Sequence, residues 1–382
     1  MKILHIVPSY KPAYKYGGPI ASVSKLCELL IGKGTYIKVL TTTGNGNEEL
    51  DVETEKEHIV DGVPTIYFKR YTRNNTFVCP DLWKYLEAHV NEYDVVHIHT
   101  WWNILVLVSA WICYQKGAKV IISPRGMLCD YIINGNNSFI KKCIHLAIGK
   151  RLLKKSYFHA TSDSEYADCE KLIPGWKGFI SPNILPLTGP PIQKKSNDVF
   201  TMIFLSRIDP KKGLEFVLNA MPQLPVDVKL KICGTGNAQY IAELKELAQK
   251  NKIDHQIEWL EWQSGETKFR QLMEADLCVL TSYNENFGNV IVESLYMGTP
   301  VLITEMVGLS TFVKKYDLGW IAPLDTSIIS DTISNIISDK EKRERINNES
   351  REITNRYFAE NVVLNQYLNV YSSLLNNKIK IR

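Results

Sequence analysis

Short, nearly continuous apolar runs alternate along this chain with longer stretches in which apolar residues return every three or four positions. The runs are Lys2–Val7, Tyr36–Thr42, Thr65–Phe68, Val95–Ile98, Lys119–Ser123 and Tyr157–Thr161 in the first half, then Val199–Leu205, Lys229–Cys233, Leu277–Leu280 and Val301–Thr304. Continuous runs of this length predict strands buried on both faces. The stretches between them, such as Ile20–Ile31, predict helices, and the alternation implies an α/β chain of parallel sheets covered on both sides. The last part, Asp331–Arg356 and then YFAENVVLNQYLNVYSSLL (357–375), keeps helical periodicity. In parallel sheets ligands lie beyond the carboxyl ends of the strands, so the residues following each run are where chemistry is expected.

A chain of 382 residues is long for one core and suits two domains. KGFISPNILPLTGPP (177–191) holds four prolines between 182 and 191 and reads as a rigid connection, which puts a boundary near residue 188. The expected division is 1–187, 188–356 and a terminal helical segment 357–382, which ends in the short basic tail Lys378, Lys380 and Arg382.

Composition narrows the class. Apolar residues make up 45% and charged residues 23%, as in a globular protein. The eight cysteines form no C-x-x-C pair and read as reduced, mostly buried thiols. The longest apolar stretch, Ile104–Tyr114, falls far short of the ~20 residues that span a bilayer. Met1 and Lys2 run straight into a strand with no apolar leader, so a cytoplasmic location is expected. The net charge is +4, and the positive excess falls in the first 185 residues. Lys141, Lys142, Lys150, Arg151, Lys154 and Lys155 crowd a segment with no acidic residue between Asp130 and Asp163. A peripheral membrane contact or an anionic lipid-linked substrate could use them. At regular helical spacing, however, the six scatter around the axis, so a solvated basic helix fits equally. No nucleic-acid partner is expected.

The most informative stretch is LTSYNENFGNVIVESLYM (280–297). A strand end passes through a polar loop bearing Glu285, turns at Gly288 and enters a helix that carries Glu293. The amides of Gly288, Asn289 and Val290 then start a helix, a place that suits a phosphate. Two further strand-to-helix loops have similar character. After Lys2–Val7 comes PSYKPAYKYGGP, where Gly17 and Gly18 allow close backbone approach; an ordinary turn is the alternative. After Val199–Leu205 comes SRIDPKKGLEF, with Arg207 and Lys212 as fixed cations. HIHTWWN (97–103) brings His99, Trp101 and Trp102 to a strand end, where aromatic faces stack on sugar rings or simply pack at a helix start. Gly234-x-Gly236 hints at a dinucleotide turn, but Gln239 stands where a third glycine would, which argues against a dehydrogenase.

Glu285 to Glu293 resembles the E-x7-E motif of retaining glycosyltransferases of the GT-B fold, family 4 type. The Gly-Gly loop, the linker, R-x4-K at Arg207 and Lys212, and the terminal helix follow the family's order over nearly the whole chain. The resemblance implies two Rossmann-like doubly wound domains facing a central cleft, an acceptor-binding N-terminal domain and a donor-binding C-terminal one. Glu285 would lie against the donor sugar and Glu293 would hold the ribose. Gly17, Gly18, Gly234, Phe287, Gly288, Asn289 and Val290 would approach the nucleotide or its diphosphate. Arg207 and Lys212 would stabilise the leaving diphosphate, and His99, Trp101 and Trp102 would face the acceptor. The chain departs from the family at SPRGM (123–127), where Arg125 stands at the strand end at which relatives often have a histidine; Arg125 is a further candidate catalytic residue, suited to an acidic or phosphorylated group.

The activity implied is transfer of a hexosyl or N-acetylhexosaminyl group from a nucleoside-diphosphate sugar to a hydroxyl of a glycan acceptor, expected to be lipid-linked, in surface polysaccharide biosynthesis, with retained configuration. A UDP-sugar is the first expectation for the donor and GDP-mannose the second. With no D-x-D motif, neither a metal nor another cofactor is expected. A GT-B epimerase or phosphorylase, or a non-catalytic sugar-nucleotide-binding partner subunit, are the competing readings.

Overall fold

The computed structural model describes residues 1–135, 137–192, 198–225 and 227–376, so the basic tail at Lys378, Lys380 and Arg382 lies outside the described residues. The chain forms two compact units, Met1–Leu185 together with Glu360–Arg382, and Pro186–Ala359. Each unit is built on one α/β sheet, parallel throughout in the second and parallel but for one edge strand in the first.

In the first unit the strand Lys2–Ile6 lies mid-sheet. The chain runs outward through Tyr36–Thr42 and Val63–Phe68, then crosses to Val95–His99 on the other side and continues through Val120–Ser123, Tyr157–Ala160 and Gly178–Ile180. The eighth strand, Glu57–Val60, pairs antiparallel with Val63–Phe68 at the edge. Two strands of this eight-stranded sheet were not expected. Glu57–Val60 alternates exposed with half-buried residues because only one edge is paired, so it lacks an apolar run. Gly178–Ile180 falls within the proline-rich stretch and pairs parallel with Tyr157–Ala160 before the prolines begin.

Two apolar layers flank this sheet. One gathers Leu86, Ile98, Trp101, Leu153 and Phe158. The other packs the helix Gly18–Gly32, through Val23, Leu26 and Leu30, with Val363, Leu364, Tyr367 and Tyr371 of the final helix Glu360–Leu375. Those four residues recur at three- and four-residue spacing, one helix face turned to the core.

The second unit is a six-stranded, all-parallel sheet. From the central strand Phe200–Leu205 the chain goes out through Val228–Cys233 to Ile257–Leu260, then returns to Leu277–Leu280 on the opposite side and on to Val301–Ile303 and Gly319–Ile321. In both sheets, therefore, the strand order reverses beside the first strand of the unit, and such a switch point leaves a crevice outside the carboxyl ends.

Candidate active site

In the second unit the switch point lies between Phe200–Leu205 and Leu277–Leu280. The loop after the first strand folds as a 3-10 turn, Pro210–Lys212, capped by the Asp209 carboxylate on the Lys211 amide at 3.0 Å. The loop after the second strand is bound to it. Thr281 Oγ1 donates to the Gly213 carbonyl at 2.7 Å and the Tyr283 amide donates to the Lys211 carbonyl at 2.9 Å. Contact is so close at Gly213 that a Cβ there would stand 2.0 Å from the Thr281 carbonyl oxygen.

This docking brings Lys212 to Glu285. The Lys212 ammonium pairs with Glu285 Oε2, and both side chains are mostly shielded, at 15% and 19% exposed. Glu285 is itself clamped: its amide donates to the Met306 carbonyl at 3.0 Å and its carbonyl accepts from the Gly308 amide at 2.7 Å. Arg207 stands apart, 57% exposed and 3.6 Å from Asp209, leaving its guanidinium available to an anion.

Gly288, at φ +86, caps the helix Asn289–Tyr296 in a left-handed conformation that a side chain would strain. Among the described residues, the amides of Gly288 and Val290 have no hydrogen-bond acceptor. One turn in, Glu293 is 7% exposed and pairs with Lys268 Nζ at 2.7 Å. Two expected contacts have a different role. Phe287 is 3% exposed and packs edge-on against Phe358, so its ring serves the core. Gly234 is small because a Cβ would lie 2.0 Å from the Ser206 carbonyl oxygen, and Gly236 is matched in the same way to Ile208. The G-x-G turn thus seats the Arg207 loop.

Sequence reasoning missed two partners here. Lys268, from the helix Gly265–Glu274, shares no spacing pattern with Glu293. Glu215 accepts from Tyr240 and Tyr283, each at 3.0 Å, fastening the rim of the same loop pair. Burial, reinforced by the Glu215 charge, pushes the Tyr240 hydroxyl above its ordinary range.

The first unit fills its switch point differently. His5, His97, His99 and His159 are all buried at neighbouring strand ends. His5 Nδ1 lies 3.0 Å from His99 Nε2. Tyr371 Oη, His97 Nδ1 and Nε2, Ser123 Oγ, and His159 Nδ1 and Nε2 form a line of hydrogen bonds 2.6–2.7 Å long that ends on the Ser181 carbonyl at 2.8 Å. A carbonyl only accepts, so His159 Nε2 carries the proton, and in the neutral ring that burial favours Nδ1 accepts from Ser123. The direction then propagates: Ser123 accepts from His97 Nε2–H, and His97 Nδ1 accepts from the Tyr371 hydroxyl. Burial keeps both rings neutral, and with Arg125 nearby it drives His5 and His159 down to about 3. Burial likewise holds His97 and His99 far below the ordinary histidine range. His5, His97 and His99 offer nitrogens within 4.8 Å of one another, as metal ligands would. Both nitrogens of His97 are nevertheless engaged, and the Arg125 cation faces His99.

Arg125, in the left-handed region at φ +57, extends over this chain. It donates to Asn183 Oδ1 at 2.6 Å and Ser22 Oγ at 3.2 Å, and sits 3.4 Å from His99 Nδ1. No carboxylate pairs with it among the described residues, and its buried Nε has no partner. The loop that holds it is fixed by buried Glu165, whose carboxylate accepts from the amides of Gly126 at 2.6 Å and Thr161 at 2.7 Å.

Gly17, at φ +77 and ψ −142, precedes the helix Gly18–Gly32, and a Cβ at Gly17 would meet nothing within 4 Å; its glycine is required by the backbone alone. The aromatic pair divides. Trp101 is fully buried in the core and cannot stack on a sugar, and His99 at 1% exposed lies beneath Arg125. Both are corrected to supporting positions by burial. Trp102 is half-buried, held by its indole N–H on the Met127 carbonyl at 2.6 Å.

Comparison with known proteins gives the family and the fold. The family model described as glycosyl transferases group 1 matches residues 190–353, and that of Glycosyltransferase Family 4 matches 16–177. An uncharacterized glycosyltransferase of Methanocaldococcus jannaschii is 24% identical, over 97% of this chain and 98% of its own. The N-acetyl-alpha-D-glucosaminyl L-malate synthase of Bacillus anthracis is 21% identical, over 82% of this chain and 86% of its own. Among solved structures, Anabaena HepE in complex with UDP and glucose superposes with a TM-score of 0.76 at 19% identity, covering 98% of this chain and all of that one. The chain belongs to the family 4, group 1 type of glycosyltransferases and has their GT-B fold.

Proposed function

We propose that this glycosyltransferase moves a hexosyl or N-acetylhexosaminyl group from a nucleoside-diphosphate sugar to a hydroxyl of an anionic, lipid-linked glycan acceptor, with retention and without a metal ion. The observation that carries the reading is the Lys212–Glu285 pair at the switch point of the second sheet, with Glu293 one turn into the adjacent helix. A pair of shielded charges with one exposed cation beside it, Arg207, suits a ligand that brings its own negative charge. On donor binding Lys212 and Arg207 turn to the diphosphate, joined by the amides at Gly288 and Val290. Glu293 exchanges Lys268 for the ribose hydroxyls, and Glu285 lies against the sugar.

As the bond from C1 to the diphosphate oxygen breaks, the leaving group gains charge, and preorganised cations stabilise that state most. The acceptor oxygen bonds to C1 on the same face, and its proton passes to the departing phosphate oxygen. UDP is the first choice of nucleotide, supported by the UDP and glucose in the similar HepE structure; GDP-mannose is the second. Arg125, a guanidinium without a carboxylate, recognises a phosphate or carboxylate on the acceptor, a reading supported by the malate in the name of the Bacillus relative. Trp102 remains the aromatic candidate for the acceptor sugar. The setting is cytoplasmic.

The test is a panel of UDP-, GDP-, ADP- and dTDP-sugars with acceptor glycans in EDTA, the product's anomeric configuration being read by NMR. A retained anomer formed without metal is expected. An inverted anomer would overturn the mechanism, and conversion of the sugar nucleotide without acceptor would make the protein an epimerase.

A further inference from the structure

Segment 138–154 is one helical run in three pieces, Ser138–Ile144, the π-helical His145–Gly149 and Lys150–Lys154. A π turn holds an extra residue and so rotates everything after it relative to an unbroken α-helix. That rotation overturns the scatter expected of the basic residues. Leu152 and Leu153 are buried, whereas Lys142, Lys150, Arg151 and Lys154 are all exposed and recur with the spacing of one outward face. Lys155 is exposed directly after them. Lys141 alone turns inward, donating to the Ile132 carbonyl at 2.6 Å.

The outward face is not only basic. Phe139 is 78% exposed, Leu146 76%, Ile140 56% and nearby Tyr131 50%, the largest concentration of exposed apolar side chains in the described residues. Solvated basic helices do not carry such residues outward, and exposed apolar clusters mark interaction surfaces. Arg151 donates to the Tyr114 hydroxyl at 2.8 Å and lies over its ring, and Trp111, 39% exposed, stands 5.9 Å from that ring. Tyr and Trp at the rim of an apolar patch are the side chains that settle at the boundary of lipid and water. Next to them a cavity of about 200 Å³ is walled by Ala110, Val120, Ile122 and Leu152, with Tyr114 and Lys155.

We infer that this face docks on an anionic lipid bilayer, Phe139, Ile140 and Leu146 entering the acyl boundary while Lys142, Lys150, Arg151, Lys154 and Lys155 meet lipid phosphates. Charge selects the occupant. No acidic residue lies between Tyr131 and Ser162, so two copies of the face repel each other, while an anionic leaflet attracts every cation on it. The apolar residues of this cluster alternate with cations along one helical run, a mixture that suits the boundary of acyl chains and lipid phosphates. The inference concerns the first unit only and stands apart from the donor and anomeric assignments.

The test is flotation of the full chain with vesicles of phosphatidylcholine alone and of phosphatidylcholine mixed with phosphatidylglycerol, at low and high salt. Binding is expected only to the anionic vesicles and is weakened by salt. Each cation near the leaflet contributes roughly a fivefold gain in partition, so Lys150→Glu with Arg151→Glu and Lys154→Glu lowers it by at least about a hundredfold. Phe139→Ser with Leu146→Ser removes the salt-resistant part. Lys33→Glu with Lys250→Glu, exposed elsewhere, changes partition little. Unchanged circular dichroism and melting temperature in every variant exclude misfolding. Failure of the wild type to bind, equal binding to neutral vesicles, or a dimer that Phe139→Ser and Leu146→Ser dissolve would each overturn the inference.

Discussion

The two sheets reverse their strand order in the same manner, yet their switch points are built from opposite electrostatics. In the second unit the carboxyl ends hold charges in pairs, Lys212 with Glu285 and Lys268 with Glu293, none of the four more than 19% exposed. In the first unit the corresponding ends hold four neutral histidines, two of them, His97 and His159, in a directional hydrogen-bond chain and two, His5 and His99, paired beside it, with Arg125 as a cation without a carboxylate above them. Paired charges exchange partners with an incoming ligand at little cost, because each group keeps a counter-charge throughout. A neutral buried chain has no such freedom, since adding a proton removes an acceptor that a neighbour requires. The same topology thus carries two ion pairs that a charged ligand can exchange with in one unit, and in the other a neutral hydrogen-bonded scaffold beneath a single cation.

The largest expected effect lies in the charged site. Lys212→Ala and Glu285→Gln should each lower the transfer rate by about 10²–10³-fold, as for removal of a preorganised charge-stabilising group, with circular dichroism unchanged. Next, Glu293→Ala should raise the donor Kd by about 10–100-fold in calorimetry, the range for a hydrogen bond to a charged group. Lys268→Ala should have the smaller effect of the two, because in the proposed complex the ribose takes its place.

The scaffold should answer in stability. Tyr371→Phe leaves His97 Nδ1 buried without a donor and should cost about 1–3 kcal/mol in urea unfolding. pH sharpens the contrast further. His5 and His159 are held down to about 3 against an ordinary value of 6.5, so their contribution to stability is complete above pH 6.5 and is lost as pH falls toward 3. Each should add a slope of at most about 1.4 kcal/mol per pH unit in that window. Asp168, pushed up to about 6 by burial and by Asp130 and Glu165, acts in the opposite sense below pH 6, but it is one carboxyl against four histidines.

What was legible in the sequence follows the same division. The parallel strands were visible because burial on both faces leaves uninterrupted apolar runs, and Tyr36–Thr42 and Leu277–Leu280 stand where those runs begin and end. Glu285, Glu293, Arg207 and Lys212 were visible because their spacing within strand–loop–helix units is local. Lys268 was not, since its partner lies 25 residues away on another helix. The histidine chain was hidden for a related reason: His5, His97 and His159 come from separate strands, and register across the sheet is what brings His5 opposite His97. A signal existed, however, because KILHIV, VVHIH and YFHA all carry histidine near the strand end. Trp101 misled because an aromatic at a strand end looks alike from sequence whether it turns to ligand or to core. The π segment at His145–Gly149 has no local residue pattern that announces it, and without it the outward basic face could not be read.

The most direct test of the charged switch point as the donor site is calorimetric titration of the wild type and Glu293→Ala with UDP and with GDP in EDTA. The account predicts that one nucleotide binds the wild type without metal, adding about 2.7 kcal/mol of stability at 100 times its Kd, and that Glu293→Ala loses most of that affinity. Binding that needs a divalent ion, or that is as tight in Glu293→Ala as in the wild type, would contradict it.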